Sequence, residues 1–454
     1  MQPFRPFAGL RIAVLGLGRA GLPAALRLAE WGAVVTAWDD GAPARAAAAQ
    51  AGIAVAEPEG FDLLLISPGI PHRGAKAHPV AARAVAAGIP VTTDAELLFR
   101  AVRASGSGAR FCGITGTNGK STTTALVAHI LAQAGIAHAA GANLGPAALS
   151  LPLLGDDGVY VLEMSSYMLD RVERLHFGAA AMLNLSPDHL DRHGDMAGYA
   201  AAKQRIFANQ AAEDTAVIGM DDDLSRAMPT GPARRVPISG TTPQPGGVWA
   251  EGRLLRDAAG PLLDLAEAAA LPGSHNAQNA AAAAALCLAL GLGRDAIAAG
   301  IRSYPGLPHR MEVLATIAGV TLVNDSKGTN ADSTARALAA YDRVVLIAGG
   351  VAKDGGIESL APLFPRIAEA FLIGQSAADF AATLGRHGVT HRIAGTLDAA
   401  TRAAFAAARA GAAPVVLLSP ACASFDQFSG FEARGDAFRA LVAGLDTRPH
   451  GEAA

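Results

Sequence analysis

Between residues 9 and 95 the chain alternates short apolar, β-rich runs with alanine-rich stretches of helical character. The apolar runs are Arg11 to Leu15, Val34 to Trp38, Leu63 to Ser67 and Pro90 to Thr92. Short apolar strands separated by helical stretches are what a parallel sheet covered by helices requires, so this stretch predicts one α/β domain. A Gly-Ser segment, Ala104 to Arg110, is followed by a second alternation: an apolar strand at Phe111 to Ile114, a helical run through Leu126, Val127, Ile130 and Leu131, and more of the same to about Tyr304. Pro305, Gly306 and Pro308 break the chain before a third set of strands at Leu322 to Asn324, Val344 to Ala348, Ala370 to Ile373 and Val415 to Ser419. The expected architecture is three α/β domains: a Rossmann-like domain over 1–100, a phosphate-loop domain with a mixed or parallel sheet over 101–305, and a Rossmann-like domain over 306–454. The Pro-, Gly- and Thr-rich segment from Pro229 to Gly260 is expected to form loops or a small β insertion.

The junction of the second strand and helix carries Gly-Ile-Thr-Gly-Thr-Asn-Gly-Lys-Ser-Thr-Thr over 113–123. Backbone N–H groups of Gly116, Thr117, Asn118 and Gly119 can point at phosphate oxygens there. The helix start adds its positive dipole end, Lys120 reaches the outer phosphates, Ser121 can ligate Mg²⁺, and Thr122 follows in the first turn. The usual pattern has a glycine six residues before the lysine; here that position is Ile114, with Gly113 one step earlier. The stretch predicts binding of a nucleoside triphosphate, against a plain glycine-rich turn as the bland alternative.

A second glycine-rich loop, Gly16-Leu-Gly18-Arg19-Ala-Gly21, follows the first strand, and Asp39 ends the next. This matches a dinucleotide fingerprint in spacing and context, but such a loop binds any pyrophosphate, and nothing downstream suggests hydride chemistry. A nucleoside diphosphate fits as well, with Ser67 and Gly69 on the same rim. Further on come Glu163 after an apolar strand, His189 in Asn-Leu-Ser-Pro-Asp-His, and Lys203 in a helical stretch; with Ser121 they can build a two-metal site. Taken singly, each has an ordinary reading as a capping acid, a loop histidine or a solvated lysine.

Composition narrows the field. No apolar run reaches about 18 residues and no basic-then-apolar leader is seen, which argues against membrane insertion and secretion and for a cytoplasmic protein. A net charge of -3 without basic blocks argues against a nucleic-acid track. Cys112, Cys287 and Cys422 are widely spaced and lack a CxxC, as expected of buried thiols. Of 37 basic residues only five are lysines, at 76, 120, 203, 327 and 353. Coding bias explains the scarcity, yet the lysines that remain are enriched for places needing a compact ammonium or a neutral amine.

Several motifs in order carry a family resemblance: Thr-Gly-Thr-Asn-Gly-Lys-Ser-Thr at 115–122, Glu-Met-Ser-Ser-Tyr at 163–167, Asn-Leu-Ser-Pro-Asp-His-Leu-Asp-Arg-His at 184–193, Leu-Pro-Gly-Ser-His-Asn-Ala-Gln-Asn at 271–279, Leu-Pro-His-Arg at 307–310, Asn-Asp-Ser-Lys-Gly-Thr-Asn at 324–330 and Ser-Pro-Ala-Cys-Ala-Ser-Phe-Asp-Gln-Phe at 419–428. Over essentially its whole length the chain resembles the Mur ligases, most closely those adding D-glutamate to UDP-N-acetylmuramoyl-L-alanine in cytoplasmic peptidoglycan precursor synthesis. The resemblance implies that the substrate carboxylate attacks the γ-phosphate of ATP to give an acyl phosphate, from which the glutamate amine displaces phosphate. It implies two Mg²⁺ ions, held by Ser121, Glu163, His189 and Lys203, with Lys203 carrying CO₂ as a carbamate, and catalytic roles for Lys120, His189 and Lys203. ATP would also meet Asn276, Asn279, Arg310 and Asp325. The UDP-substrate would meet Gly18, Arg19, Asp39, Ser67, Gly69, Asn143, Ser165 and His189. Glutamate would meet Lys327, Thr329, Lys353, Ser424, Phe425 and Phe431. A monomer acting on small molecules is expected.

Three positions depart from the family pattern: Met168 where glutamine is common, Ala20 where threonine is frequent, and Gly41 where some members carry arginine. The competing readings are a tripeptide or folylpolyglutamate synthetase, an L-glutamate-adding relative, a non-catalytic nucleotide-binding regulator, and an NAD oxidoreductase.

Overall fold

The computed structural model describes residues 4–352 and 355–445. These form two compact units divided after Tyr304, with Ala270–Gly273 belonging to the second. In the first unit, Ile12, Ala13, Val14 and Leu15 of strand Arg11–Leu15 are all buried, as a strand covered on both faces demands. It pairs in parallel with Val34–Trp38 on one side and Leu63–Ile66 on the other. With Ala54–Val55 and Val91–Thr92 at the edges these make a five-stranded parallel sheet. Strand order reverses beside Arg11–Leu15, and the crevice at the carboxyl ends there is where ligands bind in such sheets.

Helix Asp94–Ala104 spans residue 100 and leads to the second sheet of the same unit. Its apolar face, with Leu97, Leu98, Ala101 and Val102, belongs to one continuous cluster running from Ile12 and Val14 to Phe111, Tyr160 and Leu162. Its buried Glu96 accepts from the backbone N–H groups of Glu173, Arg174 and Leu175, at 2.8 Å for Leu175, and pairs with Arg100. Three N–H donors and a guanidinium offset what burying that carboxylate costs.

The second sheet has nine strands among the described residues. Arg110–Thr115 lies between Val159–Glu163 and Ala179–Met182, all parallel. Gly113 sits inside this strand, where a Cβ would run into the Phe177 ring; its role is packing, and Ile114 is a buried strand residue paired with Glu163. Of the two forms expected for the region from Pro229 to Gly260, loops or a small β insertion, it takes the β form: Arg234–Ser239, Val248–Glu251, Leu254–Asp257 and Gly260–Asp264 extend the main sheet, first parallel and then antiparallel.

The second unit holds a six-stranded sheet ordered Glu312–Ile317, Val320–Asn324, Val415–Leu418, Val344–Gly349, Ile367–Ile373 and His391–Gly395, antiparallel only in its first pair. Buried residues on both faces, such as Leu346 and Leu417 on one side and Ile347 and Leu418 on the other, pack under flanking helices. All three cysteines are buried and unpaired, as expected.

Candidate active site

The phosphate loop leaves strand Arg110–Thr115 through Gly116, at φ 151°, and enters helix Lys120–Gln133 through Gly119, at φ 83°. Both are left-handed backbone that a side chain would strain. A Cβ on Gly119 would also collide with the Asn279 carboxamide. A clamp fixes the loop's shape: Asn118 N–H donates to Asn184 Oδ1 at 2.9 Å, and Asn184 Nδ2 donates to Asn118 O at 3.2 Å and Gln278 Oε1 at 3.0 Å. Thr117 N–H donates to Asn184 O, and the Thr117 hydroxyl bridges Ser186 O and the Tyr199 hydroxyl.

Two lysines meet at one carbonyl. Lys120 Nζ donates to Gly116 O at 2.9 Å and Thr117 O at 2.8 Å; Lys203 Nζ donates to the same Gly116 O at 2.8 Å. Lys203 comes from helix Met196–Gln204, is 1% exposed, and lies 4.8 Å from the centre of the Tyr199 ring. Burial first, and the Lys120 charge second, push its amine well below the ordinary lysine range, with Asp188 and Glu163 only partly opposing. The solvated-helix reading of Lys203 is therefore incorrect.

Glu163 ends strand Val159–Glu163 and is 2% exposed. Its Oε1 accepts from Asn143 Nδ2 at 2.5 Å, while Oε2 is buried with no hydrogen-bond partner. An unpartnered buried carboxylate oxygen suits a cation, and with the buried Ser121 hydroxyl it fits Mg²⁺, which keeps few protein ligands beside waters and phosphates. Among the described residues no group of three or more His, Cys, Asp or Glu converges as a metal cage. His189, at φ 55°, is half exposed, lies beside Asp188 at 3.5 Å and has its ring 4.9 Å from that of Tyr167. Ser165 caps helix Ser166–Leu169 by accepting from Met168 N–H, and Met168 is buried in the core.

Asn276 and Asn279, on helix Ser274–Ala289, are buried and joined by a 3.0 Å hydrogen bond, with Thr123 reaching Asn279 from the loop's helix. Around the first sheet's loop, both Asp39 oxygens are taken by backbone N–H groups, those of Leu17 at 2.7 Å and Gly41 at 2.8 Å. The Ser67 hydroxyl donates to Gly16 O, so it braces the loop and is not aimed outward as a donor. Gly18 and Gly69 have open space where a Cβ would stand, and Arg19 donates to Asn143 O at 2.8 Å.

In the second unit, Asp325 follows strand Val320–Asn324, where its carboxylate accepts from Ser419 Oγ at 2.7 Å and from Met311 N–H. Burial pushes its pKa up to about 7 against Ser419 and the Arg310 charge. Lys327 Nζ lies 3.8 Å above the Phe431 ring, and Ser326 Oγ donates to Phe431 O. Ser424 Oγ is buried without a partner, Thr329 N–H donates to Lys327 O, and Phe425 is 75% exposed. Lys353 lies outside the described residues. Sequence reasoning missed Arg434, fully buried, which donates to Ser326 Oγ and to the Ser326 and Cys422 carbonyls. It also missed Asn184 and Arg171. Asn184 opens a quoted motif, which was the one signal available.

The chain matches the Mur ligase middle domain over 114–287 and the Mur ligase glutamate ligase domain over 309–422. It is 49% identical to the UDP-N-acetylmuramoylalanine--D-glutamate ligase of Paramagnetospirillum magneticum, covering 96% of this chain and 97% of that one. The chain belongs to the Mur ligase family. A protein of the same name from Caulobacter vibrioides is 48% identical over 98% of both chains. The crystal structure of the UDP-N-acetylmuramate-alanine ligase MurC from Thermotoga maritima shares the fold at a TM-score of 0.61 and 18% identity, covering 96% of this chain and 100% of that one. MurF from Acinetobacter baumannii does so at 0.58 and 19%, covering 86% and 92%. The middle-domain match takes in Lys120, Glu163, His189, Lys203, Asn276 and Asn279; the glutamate ligase match takes in Arg310, Asp325, Lys327 and Thr329. Among the described residues no helix is long and apolar enough to cross a membrane.

Proposed function

We propose that this Mur ligase uses ATP to join D-glutamate to UDP-N-acetylmuramoyl-L-alanine through an acyl phosphate, in the cytoplasm and as a monomer. One observation carries the reading: at the carboxyl end of strand Arg110–Thr115 a phosphate loop, two lysines sharing one carbonyl, and a buried carboxylate with an unpartnered oxygen come together. The first step joins two anions, and its barrier is lowered by fixed positive charge at the transferring phosphoryl group. Lys120 and the loop N–H groups supply that charge from the protein. Ser121 and Glu163 would hold Mg²⁺, with His189 and Lys203 toward a second ion; bound Mg²⁺ neutralises phosphate charge and orients the γ-phosphoryl group.

Lys203 is read as a carbamate. CO₂ adds only to a neutral amine, and burial, with the Lys120 charge second, shifts this amine toward that form. In the same reading 1–100 takes the uridine nucleotide, 101–305 takes ATP with Asn276 and Asn279 at the adenine, and 306–454 supplies Arg310 and Asp325 to ATP and Lys327, Thr329, Lys353, Ser424, Phe425 and Phe431 to glutamate. Asn143, Ser165 and His189 face the muramoyl-alanine, and Gly18, Arg19, Asp39, Ser67 and Gly69 form the nucleotide rim. Phosphate release from ATP and Mg²⁺ with UDP-N-acetylmuramoyl-L-alanine tests this. Release with D-glutamate but not with L-glutamate or no amino acid is expected. Release with L-glutamate alone would move the specificity, and silence with all three would overturn the reading.

A further inference from the structure

Arg171 is 4% exposed and spends its guanidinium on one loop of the first sheet. Nη1 donates to Ile66 O at 3.2 Å and Ser67 O at 3.3 Å; Nη2 donates to Pro68 O at 3.3 Å and Ile70 O at 2.9 Å. Nε donates to Nδ1 of His72, itself 3% exposed, whose Nε2 faces Asp170 at 3.5 Å. Burial first, and the Arg171 charge second, push His72 down to about 4, so the ring is neutral and Nδ1 can accept. Arg192, next to His193 and three residues past His189, adds a 3.1 Å bond to the same Ile70 carbonyl.

Four carbonyls within five residues thus point at guanidinium groups rooted in the second sheet's connections. Arg171 stands two residues past helix Ser166–Leu169, whose cap is Ser165, and Arg192 stands in the short helix Leu190–His193 that follows His189. The loop they grip contains Ser67 and Gly69, on the proposed nucleotide rim. That rim is poor in polar side chains: Ala20 and Gly41 offer none, Asp39 is taken up by Leu17 and Gly41, and Ser67 by Gly16. What remains is Arg19, which donates to Asn143 O, and backbone, whose usefulness depends on where the loop is held.

We propose that Arg171, aided by Arg192, is a positioning residue that sets the 66–70 loop for the nucleotide of the UDP-substrate and ties it to the segment bearing Ser165 and His189. The inference rests on the reading of 1–100 as the uridine-nucleotide site. A planar five-donor fork serves four carbonyls and a ring nitrogen; a lysine ammonium cannot.

The test is calorimetric titration of the intact protein and of Arg171→Lys, Arg171→Met and Arg192→Met with UDP-N-acetylmuramoyl-L-alanine and, separately, a non-hydrolysable ATP analogue. Arg171→Lys is expected to weaken the nucleotide-sugar at least ~10-fold, about 1.4 kcal/mol. Arg171→Met should weaken it further and Arg192→Met less, with ATP-analogue affinity unchanged and KM for the nucleotide-sugar rising more than kcat falls. Equal affinity for the nucleotide-sugar in folded variants and wild type would overturn the proposal, as would parallel loss of both ligands. If the Arg171 variants do not fold, Arg192→Met decides, and wild-type affinity there overturns the proposal. Wild-type protein that binds no nucleotide-sugar would overturn the uridine-site reading as well, a result distinct from all of these.

Discussion

Asp325→Asn should abolish a pH dependence of stability in the second unit. Asp325 is buried, with its backbone N–H donating to Leu418 O and one carboxyl oxygen accepting from Ser419 Oγ. Burial, the largest influence, raises its pKa from 3.8 to about 7. The folded chain therefore keeps this proton through a window in which the unfolded chain has lost it. More protons are bound in the native state, so stability is full below pH ~4 and falls as pH rises toward ~7. At 1.36 kcal/mol per pKa unit the whole window is worth about 4 kcal/mol. Asparagine cannot ionise. It also sets an NH₂ or an oxygen against Met311 N–H and Ser419 Oγ at a cost of about 1–3 kcal/mol, which does not vary with pH. The difference in stability between variant and wild type should then drift by about 4 kcal/mol from pH 4 to pH 8, in the variant's favour as pH rises. Hydrogen exchange of peptides covering Val320–Asn324 and Val415–Leu418, corrected for intrinsic rates at each pH, measures it within this unit. A difference constant across the window would mean that Asp325 is ionised throughout, and would refute the reasoning.

Gly119→Ala should cost about 1–2 kcal/mol from the left-handed backbone alone, and should displace Asn279 as well. A lowered Tm together with weaker ATP-analogue binding is expected, and unchanged affinity would count against the loop's role. Asn184→Ala removes three hydrogen bonds around Asn118 and Gln278, for about 2–3 kcal/mol in denaturant unfolding; a loss under about 0.5 kcal/mol would show the clamp to be idle. Lys203→Met replaces a buried amine by an apolar chain of similar length, so stability should hold or rise while phosphate release falls at least ~100-fold. In ¹³C-bicarbonate the wild type should show a carbamate resonance that the variant lacks; its absence from active wild type would remove the carbamate from the reading.

Strands Arg11–Leu15 and Val34–Trp38 begin and end where the apolar pattern puts them: in the first, burial on two faces leaves a continuous apolar run, and in the second, burial alternates along β-branched and aromatic residues. The phosphate loop was equally legible, since its chemistry is local. The Pro229 to Gly260 segment was less so, because its short strands carry polar residues such as Arg235, Glu251 and Arg256 in place of an apolar run. Pro237 even sits within strand Arg234–Ser239, which is tolerable because pairing to Val248–Glu251 begins only at Ile238. Arg171 was invisible for a different reason. Its partners lie about a hundred residues away and, His72 apart, are backbone carbonyls, which carry no side-chain signature. Arg434 reaches the Ser326 carbonyl across 108 residues in the same way. Sequence offers candidates for the groups that meet ligands; the groups that hold backbone in place are found only once the chain is folded.

The three clusters obey one rule of construction. Gly16 and Ser67 sit at the carboxyl edge beside Arg11–Leu15, the phosphate loop and Glu163 beside Arg110–Thr115, and Asp325 and Ser419 beside Val415–Leu418. Each reference strand has neighbours on both sides, so its end is rigid, and the loops leaving adjacent strands part there to open a crevice. In the middle cluster rigidity also sets reactivity. Gly116 O is fixed by its strand and receives Lys120 and Lys203 together, so two ammonium groups would have to share one oxygen away from water. Lys120 leads its helix into the loop where phosphate charge is expected, whereas Lys203 is enclosed beneath it. Burial and the neighbouring charge therefore push the Lys203 amine well below the ordinary lysine range, and one carbonyl joins a lysine at the head of the loop's helix to one enclosed in the fold.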